Sequence, residues 1–272
     1  MAPGLLWLGA LMVVPCLLIF VLIFFERGVY GGIDWNAPTT ENILRAFDPL
    51  YLSIFVDSAS IAGIATICAL LIGYPAAYAI VKASPARQTS LLFLAMLPFW
   101  TNYLIRTYAW IVLLNPAGLI NNLLGLAGLG PLPLLYNKFA VVLGLVYNYT
   151  PFVILAIYSA LQRLDPSYAE ASRDLGAGPA VTFWRITLPL TASGVAAGGV
   201  FVFVLSIGNF ITPDLLGGGK FQMVGNLIYD QFLSARDWPF GATLSALLIA
   251  VMMVLLFVQA LATRRARGER HG

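Results

Sequence analysis

The chain has 272 residues, of which 60% are hydrophobic and 10% are charged, and its formal net charge is +3. Soluble domains carry about 25% charged residues, so this composition excludes an ordinary soluble protein and indicates a chain that lies mostly in lipid. The positive charge is also too small and too scattered for a nucleic-acid-binding surface, so we expect no nucleic-acid partner.

Six apolar stretches are each long enough to cross a bilayer, which takes about 20 apolar residues per helix. The first lacks a basic region before it and a small-residue cleavage site after it, so we interpret it as a retained helix rather than a signal peptide. We therefore predict an all-α integral membrane protein with about six transmembrane helices and a single domain, residues 1–272. The predicted spans are Leu5–Phe25, Ile54–Val81, Leu91–Leu114, Phe139–Leu161, Leu188–Gly208 and Phe240–Ala262.

Lysine and arginine are distributed unequally between the two sets of loops. Nine of the 15 lie on one side and five on the other, and Arg106 lies within a span. Because cytoplasmic loops carry the excess of positive charge, we predict that both termini are cytoplasmic in a bacterial inner membrane. The C-terminal residues 263–272, TRRARGERHG, then form a basic tail beside anionic lipid headgroups.

The third predicted span contains a polar and aromatic segment, LPFWTNYLIRTYAW, residues 97–110. Arginine inside a membrane is energetically costly and is functional by default, so we interpret this segment as a candidate wall of a translocation path. Pro98 predicts a kink in this helix. Helical spacing predicts one shared face for Phe99, Tyr103, Arg106 and Trp110, with Asn102 beside it. Alternatively, Arg106 extends toward the outer interface, or it pairs with Asp57 of the second span.

The end of the fifth predicted span, SIGNFITPDLLGGGKFQ, contains helix-breaking residues. Pro213 and the glycines 217–219 predict a break at the outer mouth, followed by an amphipathic helix near Met223 and Leu227 that rests on lipid or protein. Together with the third span, this region provides our candidate path residues, which are Trp100, Asn102, Tyr103, Arg106, Trp110, Asn209 and Asp214.

The longest predicted cytoplasmic loop, residues 162–187, is polar and contains helix start and stop residues. Asp165 and Pro166 suit the N-cap and the first helical position, and Gly176 suits the C-cap. We predict a helix over residues 166–176, about 15 Å long. Such a helix can dock on a partner, or it can rest on the lipid headgroups.

No pattern in the sequence predicts catalysis or metal binding. Cys16 and Cys68 lie in apolar runs, and the only histidine, His271, lies in the basic tail. The Leu216–Lys220 segment, LGGGK, lacks the serine or threonine of a phosphate-binding loop. We therefore expect a chain with no catalytic site, metal or cofactor of its own.

The 162–187 loop resembles the EAA loop of ABC importer permeases, which reads E-A-A, three residues, G, nine residues, I-x-L-P. Here the pattern is Glu170-Ala171-Ser172, then Gly176, then Ile186-x-Leu188-Pro189. The resemblance implies a type I importer (MetI-like) fold and a coupling helix that docks on a cytoplasmic ATPase, which binds ATP and Mg. It also places Pro189 at a close-packed turn into the fifth span. The implied coupling residues are Tyr168, Glu170, Ala171, Arg173, Asp174, Leu175, Gly176 and Pro189.

Residues 97–110 and 211–232 resemble the permeases of spermidine/putrescine importers. The resemblance implies a polyamine substrate, a second and non-identical permease subunit, two ATPase subunits and a periplasmic solute-binding protein. However, carboxylates are scarce in the predicted spans, and Arg106 would repel a polycation. An importer for ferric ion, thiamine, sulfate or an amino-acid derivative therefore stays open, as does an ATP-independent transporter or channel.

Overall fold

A computed structural model describes residues 2–268, with side chains for residue 7 and residues 9–261. Residues 269–272, the end of the predicted basic tail, lie outside the described residues. The described chain is mostly helical, with one two-stranded antiparallel sheet. In chain order the elements are α1 (Ala2–Leu22), β1 (Phe25–Arg27), β2 (Ile33–Pro38), α2 (Glu41–Ala46), α3 (Pro49–Lys82), α4 (Pro85–Met96), a 3₁₀ turn (Leu97–Trp100), α5 (Tyr103–Leu114), α6 (Leu119–Leu126), α7 (Lys138–Gln162), α8 (Ser167–Asp174), α9 (Pro179–Thr182), a π-helical segment (Phe183–Thr187), α10 (Leu188–Leu190), α11 (Ala192–Ile207), α12 (Ile211–Gly217), α13 (Val224–Leu233) and α14 (Trp238–Gly268).

The centre of the molecule is a three-helix core of α3, α7 and α11. Small residues bring these helices close together, as in other membrane helix pairs. A Cβ atom on Gly194 of α11 would lie 2.4 Å from the Cβ of Ala160, and one on Gly73 of α3 would lie 2.6 Å from a methyl of Val153. The core therefore tolerates little change in the spacing of its helices.

The long apolar helices agree with most of the predicted spans. Among the described residues, four helices are long and apolar enough to cross a bilayer, and α9–α11 make a fifth crossing if the pair that bends by 65° counts as one span. The four are Pro49–Lys82, Tyr103–Leu126 (α5 and α6 taken together), Lys138–Gln162 and Trp238–Leu261. α1 covers most of the first predicted span, but its described apolar part, Gly9–Leu22, is shorter than a full crossing.

The third predicted span, Leu91–Leu114, is not one continuous helix. α4 ends at Met96, a 3₁₀ turn follows, and α5 begins at Tyr103. Pro98 lacks the amide hydrogen that would continue the helix. The side chain of Asn102 accepts hydrogen bonds from the amides of Leu104 and Ile105 and so starts a new one. The predicted helical face of four residues is therefore wrong at Phe99, which precedes the break.

The sheet, α2, α13 and one end of α14 form a small layer at one end of the core. Arg45 of α2 lies 2.8 Å from the carboxylate of Asp237 and stacks over the ring of Phe240 at 3.8 Å. The apolar face of α13 packs within the chain, since Leu227 is buried against Phe240 and Leu244. Of the two predicted contacts, lipid or protein, this face of the helix makes one with protein, namely the apolar surface of α14 in the same chain.

Candidate functional site

The first feature of the candidate coupling region is the capped start of α8. Asp165 accepts a hydrogen bond from the amide of Ser167 at 2.9 Å, which satisfies a donor that the first helical turn leaves free. The hydrogen bond from that amide lowers the pKa of the Asp165 carboxyl. Asp165 therefore bonds the start of the helix as predicted, although α8 begins at Ser167, one residue after the predicted first helical position, Pro166.

The end of α8 is closed by a glycine in the left-handed region. Gly176 has φ +81°, its amide donates to the carbonyl of Arg173 at 2.9 Å, and the amide of Ala177 donates to the carbonyl of Ser172 at 3.0 Å. These two bonds are the Schellman motif that often terminates helices at glycine. With caps at both ends, the short helix is protected from fraying.

One side of α8 packs against the chain and the rest faces outward. Ser172 is buried, and its hydroxyl lies 3.0 Å from the hydroxyl of Thr182 in α9. Leu175 is 89% exposed and Tyr168 is 54% exposed. The predicted coupling residues Tyr168, Glu170, Ala171, Arg173, Asp174, Leu175 and Gly176 are all exposed. An outside surface can therefore reach all seven of them, while Ser172 holds the helix to the chain.

The connection from α8 to the core is a bent segment, which we call the elbow (Pro179–Thr191). It contains a π-helical segment, and it meets α11 at an angle of 65°. The hydroxyl of Tyr74 in α3 lies 2.9 Å from that of Thr191, and the Tyr74 ring packs edge-on against Phe183 at 5.4 Å. The elbow follows α8 in the chain and contacts α3 directly at these two points, so it links α8 to α3.

Pro189 lies in the elbow, but its side chain is exposed. The close packing that the resemblance assigned to it is made by neighbouring residues. Thr187 and Thr191 are buried, and Gly194, at the start of α11, lies against Ala160 of α7. The turn itself is present where the sequence predicted it.

A second candidate site, the polar cluster, joins α5, α7 and α12. The side-chain nitrogen of Asn209, Nδ2, donates to the hydroxyl of Tyr103 at 2.6 Å and to that of Tyr149 at 2.7 Å. The hydroxyls of Tyr103 and Thr212 lie 2.5 Å apart. The Asn209 side-chain oxygen also accepts from the amide of Thr212 at 2.8 Å. The structure therefore brings together Tyr103 and Asn209 from the prediction, and adds Tyr149 and Thr212.

Arg106 lies beside the polar cluster, one turn after Tyr103. Its side chain is 8% exposed, and its guanidinium carbon lies 5.6 Å from the centre of the Tyr103 ring. Two of its nitrogens, Nε and one Nη, are buried and have no hydrogen-bond partner among the described residues. Asp57 is not its partner, because that carboxylate lies 3.3 Å from Lys138. The proposed Arg106–Asp57 pair is thus absent from this conformation.

The other candidate path residues are more dispersed. Trp110 is half-buried and packs edge-on against Tyr147 at 5.5 Å. Trp100 is 75% exposed and contacts Phe93, so it lies apart from the cluster. Asn102 caps α5, and Asp214 is exposed in the first turn of α12. Only Tyr103, Arg106 and Asn209 therefore meet at one place.

The polar cluster meets α7 near the middle of that helix. Tyr149 is about 17 Å along α7, whose 25 residues extend over about 38 Å. Two helix breaks occur around it: one precedes Tyr103, and the other, at Gly208–Phe210, separates α11 from α12. Irregular backbone at membrane depth is tolerated only where it is buried in protein or lines a polar cavity.

The chain is similar to known membrane proteins over nearly its whole length. A family model described as "Binding-protein-dependent transport system inner membrane component" matches residues 5–268. The spermidine/putrescine transport system permease protein PotB of Haemophilus influenzae is 44% identical over 93% of this chain and 88% of its own length. The protein of the same name from Escherichia coli is 39% identical over 95% of this chain and 94% of its own length.

A solved structure has a similar fold. In the crystal structure of a bacterial alginate ABC transporter in complex with an alginate-bound periplasmic protein, one chain superposes with a TM-score of 0.74. The superposition covers 97% of this chain and 92% of that chain, at 14% sequence identity. The likeness shows a shared fold.

Proposed function

This chain belongs to the family of inner membrane components of binding-protein-dependent transport systems, and from that premise we propose that it is the permease subunit of an ATP-driven polyamine importer. The observation that carries the proposal is the identity of 44% with a spermidine/putrescine permease over 93% of this chain. The expected type I importer fold is confirmed, because a permease-containing ABC importer shares the architecture. The resemblance of the chain to the permeases of spermidine/putrescine importers is confirmed as well.

In this proposal α8 is the coupling helix. It receives the movement of a separate ATPase subunit, which binds ATP and Mg, and it passes that movement to the spans. The exposed surface around Glu170 and Leu175 supports docking, and the caps at Asp165 and Gly176 support transmission without fraying. The chain itself then performs no catalysis.

Movement of α8 reaches the core by a short route. Ser172 contacts Thr182 at the start of the elbow, and the elbow contacts Tyr74 of α3. Because α3, α7 and α11 are closely packed, a tilt of the elbow moves them as a unit rather than deforming one of them. The bend at Thr191 is the point at which rotation of the elbow becomes tilting of α11.

The polar cluster supports a translocation path through the centre of the spans. Phenol and hydroxyl oxygens offer acceptors to an ammonium group, and the rings of Tyr103 and Tyr149 offer aromatic faces. These contacts are weaker than those of a buried carboxylate, which suits a path from which the substrate must leave. We place Tyr103, Asn209 and Arg106 on this path.

The remaining partners follow from the family and from the charge distribution. We propose that a binding protein delivers the substrate, because the family is described as belonging to binding-protein-dependent transport systems. We place α8 and both termini in the cytoplasm, where the excess of lysine and arginine lies. We further propose a second, non-identical permease subunit and two ATPase subunits.

One observation favours a second candidate substrate class. The buried, unpaired guanidinium of Arg106 beside the cluster would attract an anion and repel a polyamine. An importer for an anionic solute such as sulfate is therefore the second candidate. It shares the fold, the coupling helix and the partners with the first.

ATP hydrolysis by the reconstituted complex separates the two candidates. The chain is assembled with its partner subunits in nanodiscs, and hydrolysis is measured with binding protein loaded with putrescine, spermidine or sulfate. We expect the polyamines to stimulate hydrolysis several-fold and sulfate to leave it at the basal rate. Stimulation by sulfate alone would overturn the polyamine assignment, whereas no assembly with an ATPase would overturn the importer class.

A further inference from the structure

An apolar groove lies between α3 and the elbow, and we call it the elbow groove. It has a volume of about 480 Å³, and its walls include Ile67, Leu71, Tyr74, Phe183, Trp184 and Leu188. The Tyr74 hydroxyl is already hydrogen-bonded to Thr191. The groove therefore offers an almost wholly apolar surface to whatever fills it.

The elbow groove opens sideways, on the outside of the chain. Leu71 is 69% exposed, Ile67 is 58% exposed and Trp184 is 66% exposed. Tryptophan is enriched at membrane interfaces, where its ring lies at the level of the headgroups. The open side of the groove thus has the residues of a surface that meets lipid.

Two cationic side chains adjoin residues of the groove wall. The ammonium group of Lys82 lies 4.2 Å from the centre of the Tyr78 ring, and that ring contacts Phe183 at 5.8 Å. Arg185 directly follows Trp184 and is exposed. The ion pairs found among the described residues, Arg45–Asp237 and Lys138–Asp57, involve neither of these cations.

The distance along α3 from the start of the apolar lining to Lys82 matches one leaflet of a bilayer. Ile67 and Lys82 are both on α3, and their separation corresponds to about 22 Å of helix. Half of a bilayer, including its headgroups, measures about 20–22 Å. An apolar lining that begins one leaflet's depth from the Lys82 cation has the dimensions of a single phospholipid.

We propose that the elbow groove binds an anionic phospholipid, with an acyl chain against Leu71 and Trp184 and the phosphate between Lys82 and Arg185. Basic pockets at the ends of membrane helices recognise anionic headgroups in this way. The proposal rests on the chain spanning a membrane and not on the identity of the transported solute. A bound lipid would wedge α3 against the elbow, so that lipid composition would regulate the coupling of α8 to the spans.

Quenching of Trp184 fluorescence by brominated lipids tests this binding in the assembled complex. The signal of Trp184 is the difference between the unmodified complex and one that carries Trp184→Phe. Nanodiscs contain phosphatidylcholine with either brominated phosphatidylglycerol or brominated phosphatidylcholine. We expect the glycerol lipid to quench Trp184 at much lower mole fraction.

Charge removal identifies the headgroup site. Lys82→Gln and Arg185→Gln should each raise the mole fraction of brominated phosphatidylglycerol needed to quench Trp184 about fivefold, and together about 30-fold. Arg163→Gln, which removes a cytoplasmic charge outside the groove, should leave it unchanged. Size-exclusion chromatography checks that each variant complex is assembled.

Three results would overturn the proposal. Equal quenching by both lipids would mean that the groove meets only bulk lipid. Unchanged lipid preference in the Lys82→Gln/Arg185→Gln double variant would exclude these cations as the headgroup site. Absence of quenching, together with cross-linking of Leu71→Cys to the second permease subunit, would make the groove a protein interface. None of these results bears on which solute the complex transports.

Discussion

The Asn209 side chain makes three hydrogen bonds in the polar cluster, more than any other side chain there. Its nitrogen bonds two tyrosine hydroxyls, and its oxygen bonds the amide of Thr212 at the start of α12. One side chain thus fixes the positions of two rings and one short helix. A substrate that competes for the tyrosine hydroxyls would loosen all three together.

Asn209→Ala should lower both the stability and the transport rate of the complex. It removes three hydrogen bonds that are half-buried, at a net cost of about 1 kcal/mol each. Thermal unfolding and putrescine uptake into proteoliposomes measure the two effects. Asn122→Ala is the matched control, because that exposed amide bonds only one carbonyl. Equal uptake by both variants would remove Asn209 from the path.

Asp165 makes the start of α8 sensitive to acid. Its pKa is lowered in the folded state by its hydrogen bond to the Ser167 amide. A carboxylate whose folded pKa is depressed stabilises the fold above its unfolded pKa, and this stabilisation is lost as the pH falls through the folded pKa. The cap is therefore complete at neutral pH and is weakened only in acid.

Two substitutions at Asp165 separate the charge from the cap. Asp165→Asn should keep the cap and remove its acid dependence, whereas Asp165→Ala should lose the cap at every pH. Hydrogen exchange of the amides in the first turn of α8, compared with wild type at each pH, reports the difference. Identical exchange in the alanine variant and in wild type at neutral pH would show that the cap contributes nothing.

At the scale of elements, the end of α8 depends on Gly176. Its φ of +81° strains any residue with a side chain, although a Cβ there would meet nothing within 4 Å. Gly176→Asp should uncouple ATP hydrolysis from uptake while the complex stays inserted. Asparagine has nearly the same shape as aspartate without the charge. Gly176→Asn should therefore destabilise the end of α8 less than Gly176→Asp, by about 0.3–1 kcal/mol, because a negative charge is unfavourable at a helix C-terminus.

The ratio of ATP hydrolysed to putrescine taken up measures this coupling. Wild-type ratios in Gly176→Asp would contradict the role of α8. Equal ratios in the Asp and Asn variants would assign the whole effect to backbone strain.

The contact between α7 and α11 should be sensitive to any added side-chain volume. Gly194→Ala places its Cβ 2.4 Å from that of Ala160, which should destabilise the complex by about 1–3 kcal/mol. Gly63→Ala, where nothing lies within 4 Å, should be neutral or slightly stabilising. Adding Ala160→Gly to Gly194→Ala should restore much of the loss in thermal unfolding. Failure of that rescue would mean that the two helices are not held by this contact.

Local signals predicted α3, α7, α14 and α8 well, but they missed the break before α5. Long apolar runs define the first three helices, and cap residues at Asp165 and Gly176 define α8. The third span was predicted as one helix with a kink at Pro98, because hydropathy stays high across it, whereas the complete break depends on Asn102 capping a new helix. Hydropathy measures burial in lipid and carries no information on backbone hydrogen bonds.

The polar cluster was only partly predictable for a different reason. Tyr103 and Asn209 are 106 residues apart, and Tyr103 and Thr212 are 109 apart. Contacts at such separation depend on how α5 and α12 pack on α7. Intramembrane polarity singled out Tyr103, Arg106 and Asn209, but Thr212 resembles any surface hydroxyl in the sequence.

At the scale of the whole molecule, the two candidate sites lie on the same closely packed core. α8 joins the core through the elbow at Tyr74, and the polar cluster joins it through Tyr149 of α7. If the core moves as a unit, docking of a partner on α8 changes the position of the polar cluster as well. The groove at the elbow lies on this connection, where a lipid would affect both.

Photo-cross-linking from α8 tests the central claim, that energy enters the chain through this helix. A photoreactive amino acid replaces Leu175, which is 89% exposed, or Leu126 at the end of α6, which is 86% exposed and serves as the control. In the assembled transporter we expect Leu175 to cross-link to the ATPase subunit and Leu126 not to. Absence of an ATPase adduct at Leu175, in a complex that hydrolyses ATP and transports, would contradict the claim.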